Sequence, residues 1–222
     1  MAQRPELDEQ RLFRELCWLC GTLIGISLLL ALVVALSKTQ ALPELVGVAL
    51  TLGVAVIGVL LNPQLSSAAL RLPNARGALE TLLVAAVAGP SLELGFWVLQ
   101  QLGFKTYSGY LDAFVREGLP VALGFVAIAV VTPISEEVLF RGLIQPKLEQ
   151  IIGPTEALIV QAAIFSALHL SPVILVTHFI MGLAFGWIRR RTGSLLPSIL
   201  LHGAWNAWTL WSALASTATT MR

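Results

Sequence analysis

Six polar side chains in the second half of this apolar chain have the types and the spacing needed for acid–base chemistry: Glu136, Glu137, Arg141, His169, His202 and Asn206. Carboxylates and imidazoles can take a proton from water, and imidazole, amide and guanidinium groups can stabilise a developing negative charge. Ionisable groups are costly to bury at membrane depth, so each of them is a functional hypothesis. Together they predict a polar site that activates water within an apolar protein.

The adjacent carboxylates of Glu136 and Glu137 cannot share the same surroundings on a helix. Residues four apart lie on one helix face, so Glu137 faces Arg141, with the glutamate on the favourable N-terminal side of the pair. Two neighbouring carboxylates cannot both ionise cheaply in a low-dielectric site, so Glu136 is left to face a cleft as a general base. We expect Pro133 to kink or break this helix and, if it breaks, Ser135 to cap a new one.

The other candidates also share helix faces in pairs. His169 lies four residues after Phe165, and Asn206 lies four residues after His202. If these helices converge, the group could activate water directly, activate it on a bound metal, or donate hydrogen bonds to an oxyanion. The spacing leaves these alternatives open. It also leaves open a structural use as interhelical hydrogen bonders, which applies equally to His178.

The composition indicates that membrane-spanning helices position these residues. The 222 residues are 56% apolar and 12% charged, whereas a soluble domain carries about 25% charged residues. A helix of about 20 apolar residues crosses the hydrocarbon core. We therefore predict an all-α, polytopic membrane bundle with seven transmembrane helices, over residues 17–36, 42–61, 79–102, 119–145, 156–170, 172–188 and 195–214.

The lysine and arginine residues predict a cytoplasmic N-terminus. If the seven spans alternate from that start, ten of the 14 basic residues fall on the cytoplasmic side, including the run 189–191. The opposite side then holds four: Lys38, Lys105, Arg116 and Arg222. The first apolar run has no small-residue cleavage site before or within it, so we interpret it as a span rather than a signal peptide.

The predicted spans divide the chain into four segments. These are a cytoplasmic N-terminal segment (1–16), the N-terminal transmembrane helices with their connections (17–118), a helical core that carries the polar residues (119–214) and a C-terminal tail (215–222). The stretch 104–118 mixes aromatic and charged residues and is expected to be an interfacial helix or a lid. The glycine pair Gly182 and Gly186 predicts close helix packing. The net charge of +1 does not indicate the strongly basic surface that nucleic-acid binding requires.

Three ordered motifs resemble those of the CAAX protease and bacteriocin-processing family of intramembrane proteases, which includes the Ras-converting type of CAAX prenyl endopeptidase. Residues 136–141 (EEVLFR) match E-E-x-x-x-R, residues 165–169 (FSALH) match F-x-x-x-H, and residues 202–206 (HGAWN) match H-x-x-x-N. The resemblance covers about residues 119–214. It implies hydrolysis of peptide bonds in membrane-associated proteins or peptides, prenylated or not, in a helical bundle whose cavity reaches the cytoplasmic leaflet.

The resemblance also implies a role for each matched residue: Glu136 and His169 to activate water, His202 and Asn206 to stabilise the oxyanion, and Glu137 and Arg141 to support the site. Family members have also been described as metalloproteases. Glu136 or Glu137, together with His169 and His202, has suitable chemistry for a divalent zinc ion. The sequence has no H-E-x-x-H motif, so we favour glutamate catalysis without a cofactor and keep zinc as the alternative.

Two other classes of function fit the same residues. One is a non-catalytic immunity or scaffold protein that keeps the polar network for structure. The other is a small proton-coupled transporter that uses the buried carboxylates and imidazoles as a relay. In each case we expect a multi-pass membrane protein surrounded by lipid, located in the plasma or inner membrane if the source is bacterial.

Overall fold

A computed structural model of the chain describes residues 4–37, 39–62, 65, 70–104 and 110–220. Within these ranges all regular structure is helical, and eight helices follow one another in this order: α1 (Arg4–Ser37), α2 (Ala41–Leu61), α3 (Ala75–Gln101), α4 (Tyr110–Arg116), α5 (Val121–Ile152), α6 (Pro154–Ala167), α7 (Leu175–Thr192) and α8 (Leu196–Thr220). The basic residues Lys38, Lys105 and Arg222, which the sequence assigns to the non-cytoplasmic side, lie outside the described residues.

Four helices have the length and the composition to cross a membrane. They are Glu9–Ser37 within α1, Ala41–Leu61, Ala75–Gln101 and Val121–Ile152, and they coincide with the first four predicted spans. Many of their large apolar side chains are exposed, which fits a surface covered by lipid. The chain is therefore an all-α integral membrane protein. The last three predicted spans coincide with α6, α7 and α8, but the total of seven and the cytoplasmic N-terminus stay predictions.

Helix α5 is continuous through Pro133, so of the expected kink or break before the acidic pair the break is wrong. The helix widens into a π-helical stretch from Val126 to Val131, in which the N–H of Thr132 bonds to the carbonyl of Ala127, five residues back. A π-helical turn inside an α-helix can absorb a proline without ending the helix. Ser135 caps nothing, since its hydroxyl donates to the carbonyl of Val131 at 2.8 Å.

Helices α5, α6 and α7 pack against one another at the centre of the bundle. Its fully buried side chains include Leu139, Ile144, Phe165 and Ile188. The predicted close packing of the glycine pair is confirmed, because a Cβ atom at Gly182 would lie 2.8 Å from the Cα atom of Ala162 on α6. This closeness brings polar side chains of α5 and α6 within reach of the α7 backbone.

Three such side chains use the carbonyl groups of the two glycines as acceptors. Arg141 Nη2 and Gln161 Nε2 both donate to the carbonyl of Gly182, at 3.3 and 2.7 Å, and Gln145 Nε2 donates to that of Gly186 at 3.2 Å. The result is a polar seam through an otherwise apolar core. Hydrogen bonds between helices have this use in membrane bundles, where no water can replace them.

Ion pairs tie several helix ends together at one end of the bundle, which we call the basic end. Glu15 of α1 contacts Lys147 of α5, and Arg191 of α7 lies 2.6 Å from Glu80 of α3. The run 189–191 at the end of α7 belongs to the same group. Positive charge at a helix C-terminus is favoured by the helix dipole.

At the opposite end, Glu117 holds the start of α2. Its carboxylate accepts hydrogen bonds from the backbone N–H groups of Gln40, Ala41 and Leu42 at 2.7, 3.0 and 3.2 Å. These bonds satisfy donors that the helix itself cannot pair, and they hold the pKa of the Glu117 carboxyl below its usual range. The described part of the stretch 104–118 is therefore packed against α2, with Phe114 fully buried, rather than lying free as a lid.

The packing predicts opposite effects for the same substitution at two helical glycines. Gly182→Ala should lower the free energy of unfolding by about 1–3 kcal/mol, because the methyl group meets backbone atoms of α6 that cannot yield. Gly53→Ala on α2, where a Cβ would meet nothing within 4 Å, should leave stability unchanged or raise it by about 1 kcal/mol. Thermal unfolding of both variants in one detergent measures the difference; equal shifts would contradict this packing.

Candidate active site

A buried ion pair between Glu137 and Arg141 is the structural centre of the site. The side chains of both residues are 0% exposed, and Arg141 Nη1 donates to Glu137 Oε1 at 2.8 Å. The same carboxylate oxygen accepts from His202 Nδ1 at 3.0 Å. The pairing predicted from the four-residue spacing is therefore present, and it extends to a second helix, α8.

Aromatic rings complete the surroundings of the Arg141 guanidinium. Its central carbon lies 4.5 Å from the ring centroid of Phe165 and 5.5 Å from that of Phe185. Cation–π contacts of this kind are strongest where water is excluded. Phe165 also contacts the ring of Phe140 edge-on at 5.1 Å. The phenylalanine of the FSALH motif thus packs between the guanidinium and the neighbouring rings.

Glu136 has different surroundings from its neighbour. Its side chain is 19% exposed and faces a cavity, and its Oε2 lies 3.7 Å from Nε2 of His202. Since Nδ1 of His202 donates to Glu137, the imidazole presents Nε2 as its acceptor atom to the cavity. A separation of 3.7 Å is too long for a direct hydrogen bond, and one water molecule can bridge such a gap.

Two further imidazoles line the cavity side by side. His169 Nδ1 donates to the carbonyl of Phe165 at 2.8 Å, and His178 Nδ1 donates to the carbonyl of Ile174 at 3.0 Å. A carbonyl oxygen can only accept, so each ring keeps Nε2 as a free acceptor. The centroids of the two rings are 4.1 Å apart. His178 therefore belongs to the site.

The cavity has a volume of about 420 Å³ and joins the polar residues to an apolar wall. Glu136, His169, His178, His202 and Asn206 form one side of it. Side chains of α1 and α2 form much of the other side, among them Ile26, Leu30, Val34, Glu44 and Val48. A peptide segment that enters this space would meet acid–base groups on one side and apolar surface on the other.

Most of the residues that line the cavity lie at the middle of the bundle or in the half away from the basic end. They include the first half of α2, the turn between α6 and α7 and the middle of α8. The distribution of basic residues predicts that the basic end faces the cytoplasm, whereas the family resemblance implies a cavity that reaches the cytoplasmic leaflet. The orientation of the bundle in the membrane stays a prediction.

Asn206 fills a gap that Pro133 creates in α5. In the π-helical register the N–H of residue 133 would bond to the carbonyl of Ile128, but proline has no N–H to donate. Asn206 Nδ2 donates to that carbonyl at 2.9 Å. The close approach of α8 needs a residue without a side chain, since a Cβ atom at Gly203 would lie 2.9 Å from the carbonyl oxygen of Ala129.

The residues named as zinc ligands line one cavity but do not form a metal-binding cluster. Among the described residues, no group of three or more His, Cys, Asp or Glu side chains is arranged to hold a metal ion. Glu137 is fully buried, and its Oε1 is bonded to Arg141 and His202. We therefore derive no catalytic step through a metal.

Two titratable residues of the cavity, Glu44 and His178, lie outside the three motifs. Glu44 is the one charged residue in the predicted span 42–61, and such a residue is a signal of function by itself. No motif spacing relates it to the acidic pair, because α2 and α5 meet only in the folded bundle. His178 follows His169 across a turn, and the sequence does not show that the centroids of the two rings lie 4.1 Å apart.

Comparison with known proteins supports the resemblance seen in the motifs. Residues 118–208 match the family model described as type II CAAX prenyl endopeptidase Rce1-like. This segment contains all of α5, α6 and α7, the beginning of α8 and each of the six candidate residues. Searches of curated proteins and of solved structures found no match.

The hydrogen bond from Asn206 predicts an energetic coupling with Pro133. Asn206→Ala leaves the Ile128 carbonyl without a donor and should destabilise the protein by about 1–3 kcal/mol. Pro133→Ala supplies a backbone N–H to the same carbonyl, so it should reduce the cost of Asn206→Ala by about 1 kcal/mol. A double-mutant cycle of unfolding free energies measures this coupling. Costs that add within about 0.5 kcal/mol would show that Asn206 does not serve this carbonyl.

Proposed function

We propose that this chain, whose residues 118–208 match the type II CAAX prenyl endopeptidase Rce1-like family model, is an intramembrane endopeptidase that uses Glu136 to activate water. The observation that carries the proposal is the different use of two adjacent carboxylates. Glu137 is fully buried and its Oε1 is bonded to Arg141 and His202, while Glu136 is 19% exposed, lines the cavity and accepts no hydrogen bond from Arg141. A general base must be free in this way to reach a water molecule.

The reaction that this arrangement supports is direct hydrolysis. Glu136 takes one proton from a water molecule, and the water oxygen forms a bond to the carbonyl carbon of the peptide. The bond between that carbon and the amide nitrogen then breaks, and the proton passes from Glu136 to the leaving nitrogen. The products are a carboxyl group and an amine, so atoms and charge balance without a covalent enzyme intermediate.

His202 is suited to hold the water in line with Glu136. Its bond to the buried Glu137 fixes the orientation of the ring, so Nε2 points towards Glu136. A buried carboxylate orients an imidazole in this way in many active sites. His169 offers a further Nε2 to the same cavity and is fixed by its bond to the Phe165 carbonyl. Because both rings are held in place by these bonds, both histidines are suited to position water or a substrate carbonyl.

The cavity suggests the general form of the substrate. Its volume of about 420 Å³ and its apolar wall on α1 and α2 fit a short extended peptide with an apolar part. The family description names prenylated CAAX proteins as a substrate class. We propose membrane-associated proteins or peptides as substrates of this chain, with prenylated ones to be compared directly with unprenylated ones.

Cleavage of quenched fluorescent peptides by the purified protein in detergent tests the proposal, because detergent exposes both ends of the bundle to substrate. We expect Glu136→Gln to lower cleavage by at least about 100-fold, since a general base contributes about 10²–10⁴-fold to a rate. Glu156→Gln, on the exposed first turn of α6, is the matched control and should keep the wild-type rate. Each reaction is run with and without a chelator and with prenylated and unprenylated peptides.

The outcomes separate the competing functions. Full activity of Glu136→Gln would remove Glu136 as the base, and loss of wild-type activity with chelator would favour the zinc alternative. No cleavage of any peptide by the wild type, together with proton-dependent flux in liposomes, would favour the transporter. Circular dichroism and gel filtration must show that Glu136→Gln is folded, so that a lost rate reports on chemistry.

A further inference from the structure

A second, smaller cavity lies behind the active site, towards the basic end. It has a volume of about 200 Å³ and its lining is almost entirely polar: Arg141, Gln145, Pro146, Glu149, Arg189 and Arg190. We call it the arginine pocket. It is separate from the catalytic cavity. Arg141 connects the two, because it lines the pocket and also donates a hydrogen bond to Glu137.

Two of its arginines have hydrogen-bond donors without an acceptor. The Nε atoms of Arg141 and Arg189 are buried and have no partner among the described residues. A buried donor without an acceptor costs about 1–3 kcal/mol, and more if it carries charge. The pocket also contains one unpartnered buried acceptor, Gln145 Oε1, so its unpartnered donors outnumber its unpartnered acceptors.

The carboxylate already present does not pair with these two donors. Glu149 Oε1 accepts from Gln145 Nε2 at 3.0 Å and lies 3.7 Å from Arg190 Nε. Arg190 also donates to the carbonyl of Pro154 at 2.9 Å. The charge of Arg141 is offset by Glu137, so Arg189 and Arg190 face a single carboxylate, and one positive charge remains in excess.

We propose that the arginine pocket binds a phosphate group. A guanidinium edge matches two oxygen atoms of a phosphate in parallel hydrogen bonds, and an anion would also offset the excess positive charge. The pocket belongs to the end of the bundle where ion pairs join α1, α3, α5 and α7, and charges of this kind occur at the depth of lipid headgroups. The phosphate could thus come from a phospholipid headgroup or from free phosphate.

This site would connect the membrane surface to the catalytic centre. Arg141 lines the pocket, donates Nη1 to Glu137 and Nη2 to the carbonyl of Gly182, and has no partner for Nε among the described residues. An anion on Nε would complete the partners of the guanidinium and hold the ion pair that orients His202. The binding itself does not depend on the proposed peptidase activity.

Thermal unfolding in an uncharged detergent tests binding without any activity assay. The probes are inorganic phosphate and short-chain phosphatidylglycerol, each against sodium chloride at equal ionic strength. A ligand at about 100 times its dissociation constant should raise the wild-type unfolding midpoint by about 5 °C or more. Arg189→Gln should lose this shift, whereas Arg76→Gln, whose side chain is 79% exposed on α3, should keep it.

Each outcome decides the proposal. A shift with both probes supports binding of the phosphate group alone, and a shift with phosphatidylglycerol only supports a lipid headgroup as its source. No shift of the wild type with either probe, or an equal shift in Arg189→Gln, would overturn the proposal. If Arg189→Gln does not fold, Arg189→Lys keeps the charge without the guanidinium edge and should bind at least about 10-fold more weakly.

Discussion

The rest of the site depends on one buried ion pair. Removing Glu137 and Arg141 from water is costly, and the protein compensates with a direct contact of 2.8 Å, a carbonyl acceptor on α7 and surrounding aromatic rings. The pair fixes His202 through the same carboxylate. The adjacent Glu136 has different surroundings, because the helix turns it away from this cluster and into the cavity. One helical turn of α5 thus places one carboxylate in the ion pair and the other in the cavity.

The polar seam along α7 helps to hold the Glu137–Arg141 pair in position within the bundle. The carbonyls of Gly182 and Gly186 accept hydrogen bonds from α5 and α6 because the glycines allow the backbones to approach. The seam runs from the catalytic cavity towards the arginine pocket, so Arg141 contacts both. Sites built on rigid helices in this manner keep their geometry without bound substrate. The side chains that form the apolar wall of the cavity come from α1 and α2, outside the segment that matches the family model.

The sequence predicts the parts that depend on spacing and fails where the tertiary structure decides. The four-residue spacing correctly pairs Glu137 with Arg141, and the apolar runs locate four helices able to span a membrane. The break expected at Pro133 is wrong because a π-helical stretch absorbs the proline and Asn206 supplies a donor from another helix. The contributions of Glu44 and His178 depend on which helices meet, and a single sequence does not contain that information.

The unfolding free energies of Glu137→Gln and Glu136→Gln, measured side by side in one detergent, test the central claim most directly. Glu137→Gln leaves the fully buried Arg141 without its countercharge, so it should lower stability by about 3–5 kcal/mol. Glu136→Gln removes no ion pair with Arg141 and should change stability by no more than about 0.5 kcal/mol. Equal losses in the two variants would contradict the account, because the two carboxylates would then share one structural role.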